Sequence, residues 1–291
     1  MDLSIVIPAY NEATNLPDLI GQIHDVLGGL ELEYEIVVVD DASSDNTAQV
    51  AIDAGARVIS HPYNMGNGAA VKTGIRGATG EVIVLMDGDG QHKPEDIPGL
   101  LDAAEEYDLV VGARTAKSHA GFHRLTANKI YNWLASYVTK FRIKDLTSGF
   151  RAVNRKAALR YLYLLPNTFS YPTTMTMAFL RSGLSVKFIS IEAAPRRKGS
   201  KSKIRLFSDG ARFLLIITKI ATLYSPLRVF LPLGAALFLT GSGYYIYTFL
   251  TMHRFTNMSM LLFMSSIIIF MLGLVSEQIS QIRMDRTEDD N

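Results

Sequence analysis

The sequence predicts an α/β sandwich, a parallel sheet with helices on both faces, followed by an amphipathic interface helix and two membrane-spanning helices. Three observations predict it. Short β-branched runs alternate with helix-like segments through the first part of the 291-residue chain. These runs are continuously apolar, as in strands buried on both faces. Beyond Arg228, two long uncharged apolar runs flank one short loop.

The elements follow in order. Strands are expected at Leu3–Pro8, Glu35–Asp40, Ala56–Ser60, Val82–Met86, Leu109–Gly112 and Ser185–Ile191. Helices are expected near Leu16–Leu27, Thr47–Ala54, Ala69–Ala78, Ile97–Glu106 and Leu125–Lys140, with Asp45 as an N-cap for the second and Pro94-Glu95-Asp96 opening the fourth. A Gly-containing turn is read at Ser148-Gly149. Arg196 to Lys203 is a flexible basic link. From Ile204 to Thr222, apolar residues recur at helical spacing with Arg205, Arg212 and Lys219 among them, the pattern of a helix lying in a membrane interface. Val229–Thr251 and Met258–Ser276 are each long enough to cross a hydrocarbon core of ~30 Å. Basic residues precede the first run, and Arg283 and Arg286 follow the second. The loop between them holds only Arg254. The positive-inside rule therefore places both ends, and the domain before them, in the cytoplasm. The domains expected are 1–195, 196–225 and 226–291.

Composition excludes several classes. A net charge of +1 argues against a nucleic-acid partner. With no cysteine, there can be no disulfide, thiolate zinc site or Cys nucleophile. Met1-Asp2 and the short run after it do not make a signal peptide. Asn64-Met65-Gly66-Asn67-Gly68 has Val71 where a dinucleotide fingerprint needs glycine, and no acid follows at the required spacing. The histidines His61, His92, His119 and His123 read as surface residues rather than a metal set, and Trp133 as packing or interfacial.

Ligands in such sheets bind beyond the carboxyl ends of the strands, where three polar clusters fall. Asp87-Gly88-Asp89-Gly90-Gln91 sets two carboxylates one glycine apart at a strand exit, suited to Mg²⁺ or Mn²⁺ with phosphate completing the shell. Asp40-Asp41 can accept hydrogen bonds from a base or a ribose, and Pro8-Ala9-Tyr10-Asn11-Glu12 can frame the same nucleotide. Lys72 is a candidate to meet a phosphate. In Ser148-Gly149-Phe150-Arg151 the glycine permits close backbone approach, and Arg151 can offer a fork of donors to phosphate or sit in a structural ion pair.

Together, Pro8–Glu12, Val39–Asp45, Asp87–His92 and Ser148–Arg151 resemble the family 2 glycosyltransferases, in particular the polyprenyl-phosphate branch, dolichyl-phosphate mannose synthase-like. The resemblance runs in order through the soluble domain. It implies a GT-A (Rossmann-like) fold, inverting transfer, a divalent metal, a nucleotide-sugar donor (GDP-mannose or a UDP-sugar) and a dolichyl or undecaprenyl phosphate acceptor. It assigns Pro8, Tyr10, Glu12, Val38 and Asp40 to the nucleotide, and Asp87, Gly88, Asp89 and Gln91 to metal and donor. Arg114 falls to a donor or acceptor phosphate, and Asp145 to a base. Asp89, Arg151 and Asp145 thus form the expected catalytic set. Arg151, Arg196, Arg197, Lys198, Ser202 and Lys203 would receive the acceptor phosphate. The basic link departs from the family's usual spacing by one residue between Gly199 and Ser202.

Other readings are an inactive GT-A membrane scaffold, an enzyme for a different lipid acceptor, a processive polysaccharide synthase and a flippase. The synthase's Gln-x-x-Arg-Trp signature is absent, since the single tryptophan, Trp133, follows Tyr131-Asn132. The two spans carry no charge before Glu277, which favours an anchoring and homo-oligomerising role over a conduit.

Overall fold

The computed structural model describes residues 1–115, 131–137, 139–167, 170–192, 218, 222 and 225–289, with side chains to Ile282. Arg196, Arg197, Lys198, Ser202 and Lys203 lie outside the described residues. So do His119, His123 and nearly all of the amphipathic segment Ile204–Thr222. The chain divides into two compact units, Met1–Phe213 and Leu214–Asn291.

The first unit is built on β1 (Leu3–Ala9), α1 (Leu16–Leu27), β2 (Tyr34–Asp40), α2 (Thr47–Asp53), β3 (Arg57–Ser60), α3 (Asn67–Gly77) and β4 (Val82–Leu85). A 3₁₀ turn at Pro94–Asp96 then leads into α4 (Ile97–Ala104) and β5 (Leu109–Arg114). After a helical stretch at 131–137 come β6 (Arg151–Asn154), α5 (Arg155–Arg160), α6 (Tyr171–Arg181) and β7 (Val186–Ile191). The sheet order is β3-β2-β1-β4-β6-β5-β7.

Every residue of β1 is buried, as its unbroken apolar run requires of a central strand. Leu3, Ile5 and Ile7 face one side and pack with Leu16, Leu19, Ile20 and Ile23 of α1 and Ile97 and Leu100 of α4. The alternate residues Val6, Val37 and Val39 are equally buried, as are Val71 and Ile75 of α3. The expected strands appear, but the sheet is mixed rather than parallel. β6 runs antiparallel to both β4 and β5, with Arg151 opposite Leu85 and Val111. Its four residues, Arg-Ala-Val-Asn, carry no apolar run, so the strand exists only because two neighbours pair with it. At α2 the cap position is Asn46, while Asp45 accepts the Thr47 amide.

The second unit is a hairpin of α7 (Leu227–Met252) and α8 (Asn257–Asp289), each with a 26-residue stretch long and apolar enough to cross a membrane. The helices meet closely. A Cβ on Gly273 would stand 2.8 Å from Cβ of Phe230, and Ser266 donates to the Gly234 carbonyl at 2.9 Å. Glu277 accepts the Leu227 amide at 3.1 Å, satisfying one of the orphan donors at the start of α7. Elsewhere the outer faces are bare apolar side chains such as Leu239, Leu250, Leu261 and Ile268.

Candidate active site

Strand order decides where polar groups converge. β1 lies between β2 and β4, so the connections leaving β1 and β4 diverge and open a crevice at their carboxyl ends. Tyr10–Glu12, Asp40–Asp41, Asp87–Gln91 and Arg114 follow strand ends at this edge. Because β6 is reversed, it begins there and brings Ser148 and Gly149 with it.

The loops after β1 and β2 are laced together. Asn11, held at φ 58°, receives the Ser44 amide on its side-chain oxygen at 2.8 Å and donates its own amide to Ser43. The Glu12 amide reaches Thr47 Oγ1 at 2.9 Å. Asp40 accepts the Ser43 amide, whereas Asp41 turns inward. The Asp41 carboxylate takes His61 Nδ1 at 2.7 Å and the amides of Met65 and Gly66, both at 2.8 Å. His61 in turn contacts Thr73 of α3 through Nε2. Asp41 and His61 therefore fasten the loop entering α3, and the His61 side chain is only 6% exposed rather than turned to the surface. Val38 packs in the apolar core, which removes its side chain from the expected nucleotide contacts. Tyr10 remains half-exposed at the crevice edge.

Asp87 stands at the exit of β4. Burial pushes its pKa up. The His92 imidazole and the charges of Arg114 and Arg151 outweigh burial and hold the carboxyl below its ordinary range. His92 Nε2 lies 3.5 Å from Asp87 Oδ2, and its ring stacks on Phe150 at 5.1 Å between centroids. His92 is thus buried, another departure from the surface role read in the sequence. Asp89 accepts the Gln91 amide at 3.2 Å and Gln91 Nε2 at 2.6 Å. Gln91 thus orients Asp89 through its donors, and its amide oxygen is the atom that could meet a metal.

Among the described residues, no cluster of three His, Cys, Asp or Glu side chains could hold an ion. The donors present still fit a hard divalent cation. Asp87, held ionised, and Asp89 supply two carboxylates, and such ions take one or two carboxylates plus substrate phosphate and water.

Asp145 does not stand as a free base. It pairs with Arg114 at 2.8 Å and 3.2 Å and also accepts the Thr147 amide at 3.0 Å. Burial opposes its ionisation, but the Arg114 hydrogen bond and charge prevail and keep its pKa low. Arg114 also reaches Thr147 Oγ1 at 2.7 Å, so the pair fixes the loop before β6.

Arg151 is fully buried. Its guanidinium donates to the carbonyls of Pro172 and Ser148 and to Thr176 Oγ1. Burial pulls its pKa down to about 10, against the raising influence of Tyr171, Asp145 and Asp87. It stays charged near neutral pH but lies beyond reach of an acceptor phosphate. This overturns the direct phosphate contact read from its motif, because its fork is already bound to backbone carbonyls. Lys72 is likewise engaged, donating to Asn167 Oδ1 at 2.7 Å and to the Leu165 carbonyl at 3.2 Å. These occupy two of its three ammonium donors.

A pocket of about 100 Å³ adjoins Asp87, lined also by Asn67, Thr147, Gly149, Ser170 and Thr173. Of these, the sequence pointed only to Asp87 and Gly149. Ser170, at φ 81°, and Thr173 sit at the start of α6, more than 80 residues from Asp87, and only folding brings them there.

Residues 4–162 match the family described as Glycosyl transferase family 2, and residues 225–282 match the GtrB C-terminal hairpin. Among solved structures, the chain is similar to glucosyl-3-phosphoglycerate synthase from Mycobacterium tuberculosis in complex with Mn²⁺ and uridine-diphosphate-glucose. Identity is 24%, coverage is 75% of this chain and 77% of that one, and the TM-score is 0.57. Mannosyl-3-phosphoglycerate synthase from Rubrobacter xylanophilus matches at 21% identity, with 75% and 73% coverage and a TM-score of 0.60. These likenesses show a shared GT-A fold.

Proposed function

The chain belongs to glycosyl transferase family 2, and from that premise we propose that it moves a hexose-type sugar, with inversion, from a nucleoside-diphosphate sugar to a polyprenyl phosphate. The observation that carries the acceptor is the hairpin. Two apolar helices of spanning length coincide with the match to the GtrB C-terminal hairpin. A water-soluble acceptor would give a transferase little use for such an anchor. In this reading, 1–195 is the catalytic domain, 196–225 a basic link with an interfacial helix, and 226–291 the anchor. The domain works at the cytoplasmic face, as the basic flanks of the spans favour.

The reaction is a single displacement. A phosphate oxygen of the lipid attacks the anomeric carbon from the face opposite the nucleotide. The bond from that carbon to the diphosphate oxygen breaks, and the electron pair leaves with the nucleoside diphosphate. A phosphate monoester has a second pKa of ~6, so the nucleophile is largely ionised near neutrality and needs no strong base. This agrees with an Asp145 that is ion-paired rather than available.

Tyr10, Glu12 and Asp40 are assigned to the nucleotide. Asp87 and Asp89 are the carboxylates that would hold Mg²⁺ or Mn²⁺, which when bound neutralises the diphosphate and stabilises its departure. Mn²⁺ and uridine diphosphate in complexes of the mycobacterial synthase support a divalent ion and a nucleotide donor. Arg114, with Arg196, Arg197, Lys198, Ser202 and Lys203, is assigned to phosphates.

The test is a transfer assay on protein reconstituted with polyprenyl phosphate, Mg²⁺ or Mn²⁺ and a panel of labelled sugar nucleotides. 3-Phosphoglycerate is offered in parallel, because it is the acceptor named for the similar solved enzymes. A chelator-sensitive, lipid-extractable product supports the proposal. Transfer to phosphoglycerate alone would sink the lipid acceptor, and no transfer to either would favour an inactive scaffold.

A further inference from the structure

A patch in the first unit takes no part in the site just described. Trp133, Tyr137 and Phe141 are 68%, 49% and 39% exposed. The Trp133 and Tyr137 rings stack one helical turn apart, 6.4 Å between centroids and 23° between planes. Lys140, Arg142 and Lys144 are exposed beside them and form no ion pair among the described residues. The opposite face of this segment, with Ala135, Ile143 and Leu146, is buried.

The patch is held in shape. Asn132 Oδ1 accepts the Leu146 amide, its Nδ2 donates to the Lys144 carbonyl at 2.7 Å, and Ser136 Oγ accepts the Ile143 amide at 3.0 Å. The helical stretch and the loop after it thus move as one piece, and that loop continues into Asp145, Thr147 and Gly149.

We propose that this face rests on the anionic surface of a lipid bilayer. Tryptophan and tyrosine favour the headgroup level, where a flat apolar ring meets lipid and its polar edge meets water. Three cations, unpaired among the described residues, add attraction to anionic headgroups. The inference rests on the reading that the hairpin spans a membrane. A tether of that kind presents the lipid surface at high effective concentration, so a modest patch is enough to engage it.

The chain supplies its own probe, because Trp133 is its only tryptophan and the hairpin has none. The full chain is reconstituted into vesicles of phosphatidylcholine and phosphatidylglycerol, and emission is read with lipids brominated near the headgroup and with aqueous iodide. The expected result is quenching by brominated lipid and protection from iodide. Reversing the three charges in K140E/R142E/K144E should cut the lipid quenching by roughly half while flotation with the vesicles persists. Quenching by iodide alone, in protein that resists an alkaline wash, would overturn the patch and leave the anchor standing. Protection from both quenchers would also overturn it, pointing to a protein on this face. Release of the protein by the alkaline wash would overturn the anchor reading, and the patch would fall with it.

Discussion

A Cβ added to Gly149 would stand 2.6 Å from Oδ2 of Asp87, so the residue entering the reversed strand β6 and the carboxylate leaving β4 are made for each other. Gly149→Ala would have to push Asp87 off its place. A displacement of this kind near reacting groups costs about 100-fold in turnover. Transfer kinetics should show that loss in kcat, with circular dichroism and hairpin insertion unchanged.

Asp89→Asn keeps the shape of the Asp87–Gln91 loop and removes one carboxylate charge. Transfer should fall by on the order of 10²–10³-fold, a typical cost for losing one electrostatic partner of a transition state. Gln91→Ala should give a smaller loss, because it frees Asp89 to rotate without removing its charge. Equal activity in wild type and Asp89→Asn would end the metal assignment.

Asp145 separates two mechanisms. As an anchor for Arg114, its replacement by Asn should lower kcat by roughly 10–100-fold yet leave an acidic limb in the pH–rate profile near the acceptor's own pKa of ~6. If it is the general base, its loss would leave a residual rate that keeps climbing with pH instead of levelling off above ~6. The profile of the variant, measured from pH 5 to 8, decides between them.

Arg151 should behave as a core residue. Arg151→Lys keeps the charge but cannot span the Ser148 and Pro172 carbonyls, and leaving such groups unpaired costs about 1–3 kcal/mol each. Thermal unfolding in detergent should shift downward with little change in KM for the lipid. A raised KM at full stability would return Arg151 to the phosphate site.

Glu35 lies away from the crevice, tied to Thr79, Ser4 and Arg57. Burial alone would raise its pKa. These hydrogen bonds prevail and lower it from 4.5 to about 2. A depressed carboxylate contributes stability that is complete above its unfolded value and is lost as pH falls from 4.5 toward 2. Glu35→Gln should therefore weaken the protein at pH 7 and flatten the acid limb of its unfolding curve. An unchanged slope between those pH values would refute the linkage.

Much of this molecule was legible in its residues because strands buried on both faces leave long apolar runs, and their polar exits mark the crevice. β6 was not legible, because four residues containing Arg and Asn become a strand only between two partners. The inward turn of Asp41 was hidden by its likeness to Asp40, the neighbour beside it. Arg151 and Lys72 looked like phosphate ligands because side-chain chemistry reveals a capacity to donate, whereas only folding reveals which carbonyl has already taken the donor. His92 could be suspected from its place beside Gln91, but its stacking on Phe150 depends on residues nearly sixty positions apart.

The reversal of β6 also bears on how such a protein can change. β5 ends and β6 begins at the same edge of the sheet, so the connection from Arg114 to Arg151 departs from the crevice and returns to it. Its length can therefore vary without disturbing any strand pairing. That makes it a natural cassette, one whose exchange would leave the pairings of β1, β2 and β4 intact.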